Sequence, residues 1–200
     1  APMTEFTDTV ARAESAIRAL FDPTPLQRND HLSARHGADI WLKREDLTPV
    51  RSYKLRGAFN AMRHAKGGPG VHFVCASAGN HAQALAYHGG RLGVPVTIVM
   101  PEGTPFAKIN GTRSHGATVV IHGLEFSGAT EEAKRLEAEK GYVFVSAFDD
   151  EGIVAGQGVC GLEFMEDAPN LDALLIPIGT KRRGDPARAP LATSSKTRTA

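Results

Sequence analysis

Residues 71–83 read Val71-His72-Phe73-Val74-Cys75-Ala76-Ser77-Ala78-Gly79-Asn80-His81-Ala82-Gln83. A mostly apolar run of strand length enters a short turn of small residues, and a helical pattern follows from Asn80 to Leu92. The same rhythm continues on both sides. A helix over Leu55–His64 precedes it, separated by the turn Gly67-Gly68-Pro69-Gly70. Strand 96–100, a helix near 106–114, strand 118–121, helix 130–140, strand 142–145, helix 153–166 and strand 171–178 follow. Strands alternating with helices imply right-handed crossovers and a parallel sheet covered on both faces. Val96-Thr97-Ile98-Val99-Met100 is apolar almost throughout, as doubly covered strands are. The expected fold class is α/β, with three αβα layers around parallel strands.

The flanks read differently. Val10, Ala13, Ile17 and Leu20 recur at helical spacing, predicting a helix over 8–20 that Asp22-Pro23-Thr24-Pro25 ends. Residues 26–36 read as a second short helix closed by Gly37, and 40–43 as a strand. Beyond Gly179 the apolar pattern stops: in 180–200 Leu191 is the one aliphatic residue larger than alanine, prolines aside, and the stretch reads as disordered. The whole chain carries +1, but this tail carries +5 and residues 1–179 carry −4. A basic tail without interleaved aromatics or a structured platform is a poor nucleic-acid surface. No apolar run approaches the roughly 20 residues of a membrane span. The start, Ala1-Pro2-Met3-Thr4, shows no secretory signal pattern, and Met3 reads as a native start. Cys75 and Cys160 form no disulfide framework and read as buried apolar groups, which fits a reducing cytoplasm.

Two motifs carry candidate chemistry. Lys54 lies in Ser52-Tyr53-Lys54-Leu55-Arg56-Gly57-Ala58, at a helix start, between Arg51 and Arg56. Cationic neighbours lower an amine's pKa and favour Schiff-base formation, although a lone lysine is most often a solvated surface group. The turn Ser77-Ala78-Gly79-Asn80 opens a helix behind a strand, where free backbone N–H groups favour an anion. Local physics equally fits a plain helix cap by Ser77 or Asn80. The eight histidines show no tight metal spacing, although His81 and His88 can share a helix face. Glu131-Glu132-Ala133-Lys134-Arg135 reads as a solvated helix face with i,i+4 pairing.

Taken together, the lysine motif and Ser77-Ala78-Gly79-Asn80-His81-Ala82-Gln83 resemble the serine/threonine dehydratase family of fold-type II pyridoxal phosphate enzymes. Thr24-Pro25-Leu26, Leu42-Lys43-Arg44-Glu45-Asp46, Val99-Met100-Pro101, His122-Gly123, Phe148-Asp149-Asp150 and Ala155-Gly156-Gln157-Gly158 extend the likeness over roughly residues 5–179. It is nearest to threonine dehydratases (threonine ammonia-lyases), with serine dehydratases and serine racemases close by. The resemblance implies a tryptophan-synthase-β-like fold, of which this is the N-terminal part. In that fold 51–149 is a small αβα domain, and 1–50 with 150–179 belong to a larger one. It implies that Lys54 carries the cofactor and later takes the substrate Cα proton. Tyr53 would stand against the cofactor ring, where the family often has phenylalanine, and Asn80 would bond its phenolic oxygen. Ser77, Gly79 and His81 would surround the substrate carboxylate, with Gln157 near the same cleft. The implied reaction is deamination of L-threonine, or L-serine, to 2-oxobutanoate (or pyruvate) and ammonia, in isoleucine-related amino-acid metabolism. The implied partners are a small amino acid and, in full-length members, further copies of the chain.

The likeness breaks at one place. Of the family's glycine-rich phosphate loop only Gly179 is present, followed by Thr180-Lys181-Arg182-Arg183. A phosphate cradle needs several backbone N–H groups. Residues 180–200 are therefore expected to be out-of-frame or otherwise non-native sequence, with weak or absent cofactor retention and low activity. The competing reading is a catalytically impaired fragment of such an enzyme.

Overall fold

The computed structural model describes residues 3–65 and 70–176, with side chains from residue 5 onward. The expectations for Gly179 and for 180–200 lie outside the described residues.

Four strands form one parallel sheet in the order β5-β4-β3-β6: β3 (Phe73–Ala76), β4 (Val96–Met100), β5 (Thr118–Ile121) and β6 (Val143–Phe144). Side chains alternate across it. Phe73, Cys75, Ile98 and Met100 pack with α3 (Lys54–His64) and α4 (Asn80–Leu92). Val74, Ala76 and Val99 pack on the opposite face against Ala129, Ala133 and Leu136 of α6 (Phe126–Lys140). Period-two alternation in strands buried on both faces gives the three αβα layers. Each fully covered side chain such as Leu55, Leu85 or Ile98 contributes about 1.5–3 kcal/mol. A third cluster joins Val10, Ala13 and Ile17 of α1 (Met3–Arg18) to Ala155 and Val159 of α7 (Glu151–Asp167).

The sheet order matters for function. The chain steps from β3 to β4, then through α5 (Phe106–Arg113) to β5, and returns past β3 to place β6 on its other side. The strand order therefore reverses between β3 and β6. Ligands of open α/β sheets bind outside the carboxyl ends of the strands at such a reversal.

α3 and α7 cross with their backbones touching. A Cβ on Gly156 would lie 2.6 Å from Gly57 Cα and 2.8 Å from the Arg56 carbonyl oxygen. Only glycine fits there.

Three expectations are corrected. Residues 26–36 are not one helix: β1 (Leu26–Arg28) pairs antiparallel with β2 (Trp41–Lys43), and α2 covers Asp30–His36. Asn29 caps α2 by accepting from Leu32 N, and Gly37 closes it in the left-handed conformation. The strand pairing is a long-range contact that local periodicity cannot show. Residues 171–176 form no strand, since no neighbouring strand pairs with them among the described residues, and Leu175 is 92% exposed. On α6 the ion pairs are Arg135 with Glu132 and Glu139, and Lys134 with Glu137, instead of Glu131 with Arg135. Glu132 is buried, so that face is not wholly solvated.

Candidate active site

Lys54 is the first residue of α3, and its placement begins three residues upstream. Arg51 has φ 53°, a left-handed conformation that costs a non-glycine residue about 1 kcal/mol. Thr48 holds this turn: its Oγ1 accepts from Ser52 N at 2.8 Å, and its carbonyl accepts from Arg51 N at 2.8 Å. Ser52 Oγ in turn accepts from Lys54 N at 3.2 Å.

The Lys54 amine reaches the β3–β6 reversal. Its Nζ donates to the Ala147 carbonyl, just past β6, at 2.7 Å, and stands 5.4 Å from the centroid of the Tyr53 ring. Half-burial lowers the pKa of this amine. The two arginines expected to depress it are not the cause. Arg51 is exposed, and Arg56 points to the far side of α3 with its charge matched by carboxylates. Tyr53 is 42% exposed beside the amine.

The turn after β3 faces the same crevice. Ser77 is buried and accepts at Oγ from Gly79 N at 3.2 Å. Gly79 is the N-cap of α4, and no side chain caps that helix. Neither Ser77 nor Asn80 acts as the cap, in contrast with Asp150, which caps α7 by accepting from Ile153 N. The opening amides of α4 are thus left to a ligand or water. Asn80 is exposed there.

His81, one position further, is 3% exposed. Its ring Nε2 lies 3.2 Å from the Val145 carbonyl, so the proton sits on Nε2 and Nδ1 is left as an acceptor. That buried Nδ1 has no hydrogen-bond partner. Burial, together with the nearby Lys54 charge, pushes the ring pKa down to about 4 and keeps it neutral. His88, two turns on, instead meets the Leu55 carbonyl at 2.8 Å, so the shared helix face serves packing. Among the described residues no cluster of three or more His, Cys, Asp or Glu side chains is placed to hold a metal ion.

Gln157 is placed one helical turn below Lys54. Its Oε1 accepts from Gly57 N at 3.3 Å, and its Nε2 is buried without a partner. Lys54, His81 and the 145–147 loop meet in one place; Ser77, Gly79 and Asn80 border it; Gln157 lies behind it at the α3–α7 crossing.

A buried ion cluster lies beneath the site, and its pairing gave no sequence signal. Arg56 has no exposure, and its guanidinium donates to Glu163 Oε1 at 2.6 Å and Oε2 at 2.8 Å. It also donates to Glu45 Oε2 at 2.9 Å and Oε1 at 2.8 Å. Lys43 Nζ completes the cluster, 2.9 Å from Glu163 Oε2 and 2.6 Å from the Thr24 carbonyl. Burial by itself would lower the Arg56 pKa, but the two carboxylates outweigh it and raise the value. Burial would raise that of Glu163, but Arg56 and Lys43 hold it low. Thr24, Lys43, Glu45 and Arg56 belong to the motifs quoted above; Glu163 does not, and a single glutamate in an apolar helix gives no hint of two cationic partners.

Comparison with known proteins agrees with this fold. The model of the pyridoxal-phosphate dependent enzyme family matches residues 17–181. The chain belongs to that family. An L-threonine ammonia-lyase of Thermotoga maritima is 40% identical over 175 residues, which is 86% of this chain and 43% of that protein. The biosynthetic L-threonine dehydratase of Escherichia coli is 41% identical over 157 residues, 78% of this chain and 30% of that one. The solved structure of a processed threonine deaminase isoform from Solanum lycopersicum superposes with a TM-score of 0.82 at 35% identity, covering 90% of this chain and 50% of that one. This pyridoxal-phosphate family member thus spans half or less of each of these three relatives.

The described residues fit the family's cofactor. A half-buried amine of lowered pKa stands at the strand reversal, with an orphaned buried acceptor on His81 and an uncapped helix entrance beside it.

Proposed function

We propose that this chain carries the lysine-bearing half of a pyridoxal phosphate site for the deamination of L-threonine to 2-oxobutanoate and ammonia. L-serine, smaller by one methyl, would give pyruvate. The observation that carries this reading is the Lys54 amine on the Ala147 carbonyl, beside the orphaned His81 Nδ1. The relatives' names supply the substrate class.

When bound, the cofactor supplies an electron sink for negative charge at the substrate Cα. Lys54 Nζ would hold it and would take the substrate Cα proton. A lowered pKa leaves more of that amine unprotonated near neutrality, as a base requires. The Ala147 carbonyl aims Nζ into the crevice. The α4 amides at Asn80 and His81, with Ser77 Oγ, receive the substrate carboxylate at the positive end of the helix. Neutral His81 offers Nδ1 as an acceptor without adding positive charge beside Lys54. Asn80 would hydrogen-bond the cofactor's phenolic oxygen, and Tyr53 would pack against its ring. Gly179 is assigned to its phosphate.

In this reading 51–149 forms the small domain, and 1–50 with 150–179 forms part of a larger one. Exposed Trp41, Leu42, Leu47, Met165 and Leu175 lie on the second group and favour an alternative: a chain that keeps the lysine site but turns over little. Titration with pyridoxal phosphate, followed by assay of 2-oxobutanoate from threonine, separates the two. A visible absorbance band with turnover, both lost in Lys54→Ala, supports the enzyme. A Lys54-dependent band without turnover supports the impaired chain. No band with the wild-type protein would sink the enzyme and leave the impaired chain standing.

A further inference from the structure

The first turn of α3 is held at consecutive residues. The Leu55 carbonyl accepts from His88 on α4 at 2.8 Å. Arg56 is forked onto Glu163 of α7 and onto Glu45, which lies in the 3-10 turn Glu45–Leu47. Residues two apart on a helix point to nearly opposite sides, so Arg56 anchors the side away from the crevice while Lys54 faces it. A lysine amine on a four-carbon stem keeps one direction only when the backbone beneath it is fixed.

We propose that Arg56 is a positioning residue: its guanidinium, forked onto Glu163 and Glu45, locks the first turn of α3 so that the Lys54 amine stays on the Ala147 carbonyl at the β3–β6 reversal. The proposal rests on the assignment of Lys54 as the reactive amine. A planar fork that meets two carboxylates at once cannot be reproduced by an ammonium group. Charge at position 56 is therefore not sufficient; the shape of the group is required. The strained turn at Arg51 adds to the need, because the backbone entering α3 would otherwise relax.

The test reads Lys54 directly and without cofactor. Wild-type protein and variants are acylated across a pH series, and the labelling of each lysine is resolved by peptide mass spectrometry. Exposed Lys134 serves as the internal reference. In the wild type burial holds the Lys54 curve below the pH at which an ordinary lysine is labelled. Arg56→Lys moves the Lys54 curve up toward it, as the amine leaves its half-buried place. Glu45→Gln, which keeps Glu163, gives a smaller shift in the same direction and decides the matter if Arg56→Lys does not fold. Ile17→Ala, in the α1–α7 contact, lowers stability and leaves the Lys54 curve unmoved. The proposal is overturned if Glu45→Gln and any folded Arg56→Lys leave the curve at its wild-type position. It is equally overturned if Ile17→Ala shifts the curve as far as they do. Because labelling needs no pyridoxal phosphate, a wild-type protein that fails to bind the cofactor would sink the proposed function and leave this result standing.

Discussion

Lys54 and Arg56 stand two residues apart in one helical turn, and their surroundings are opposites. Arg56 is fully enclosed and its fork is matched on both sides by carboxylates. Lys54 is half-buried, has one carbonyl partner, and sits near a histidine whose second nitrogen is unmatched. A buried polar group short of partners costs stability, so a chain keeps one where something else completes it. The saturated side of α3 is architecture; the unsaturated side is where the proposed cofactor site lies.

The largest effect should come from emptying the saturated side. Glu163→Ala leaves Arg56 and Lys43 buried with too little negative charge, and breaking a buried pair in this way costs about 3–5 kcal/mol. Lys54→Ala removes a half-buried amine with one hydrogen bond and should cost under about 1 kcal/mol. Urea unfolding of the two variants checks the contrast, and equal losses would erase the distinction between the two sides.

Acid should act next. His81 and His88 are both held at a pKa of about 4 by burial, against about 6.5 in an unfolded chain. The unfolded chain therefore takes up protons first as pH falls. Each ring's contribution is complete above pH 6.5 and is lost as pH falls toward 4, on the order of 3 kcal/mol per ring. Unfolding free energies measured from pH 7.5 to 4.5 should fall steeply. His88→Gln should flatten that decline, and an unchanged slope would mean that His88 is not buried in neutral form. Gly156→Ala follows in size: its Cβ meets backbone at 2.6 Å, and forcing α3 and α7 apart should cost about 1–3 kcal/mol.

The sequence made some of this legible and hid the rest for identifiable reasons. Apolar runs such as Val96–Met100 and 118–121 appear where they were read, because strands covered on both faces carry their own signal. Lys54 and the Ser77–His81 turn were legible as motifs. Arg56 was misread as a neighbour that tunes Lys54, because proximity along the chain says nothing about which side of a helix a residue faces. Glu163 was invisible, since its partners lie 107 residues away on α3 and across on β2. The β1–β2 pairing was missed for the same reason, and the strand expected over 171–178 fails over 171–176 because apolar sequence alone does not form a sheet without a neighbour to pair with.

The smallest effect tests the turn between the two sides. Arg51 is exposed and held at φ 53°. Replacing it with glycine removes a left-handed penalty of about 1 kcal/mol from the folded state. The same change widens the unfolded ensemble, at a cost of roughly 0.5–1 kcal/mol. The two nearly cancel, so Arg51→Gly should leave the unfolding free energy within about 0.5 kcal/mol of wild type. Thr48 still fixes the turn by accepting from Ser52 N and Arg51 N, so the Lys54 labelling curve should stay in place as well. A Lys54 curve that moves while stability does not would show that the direction of the amine is set by the strained entry to α3, and would shift the weight of positioning from Arg56 to the turn before it.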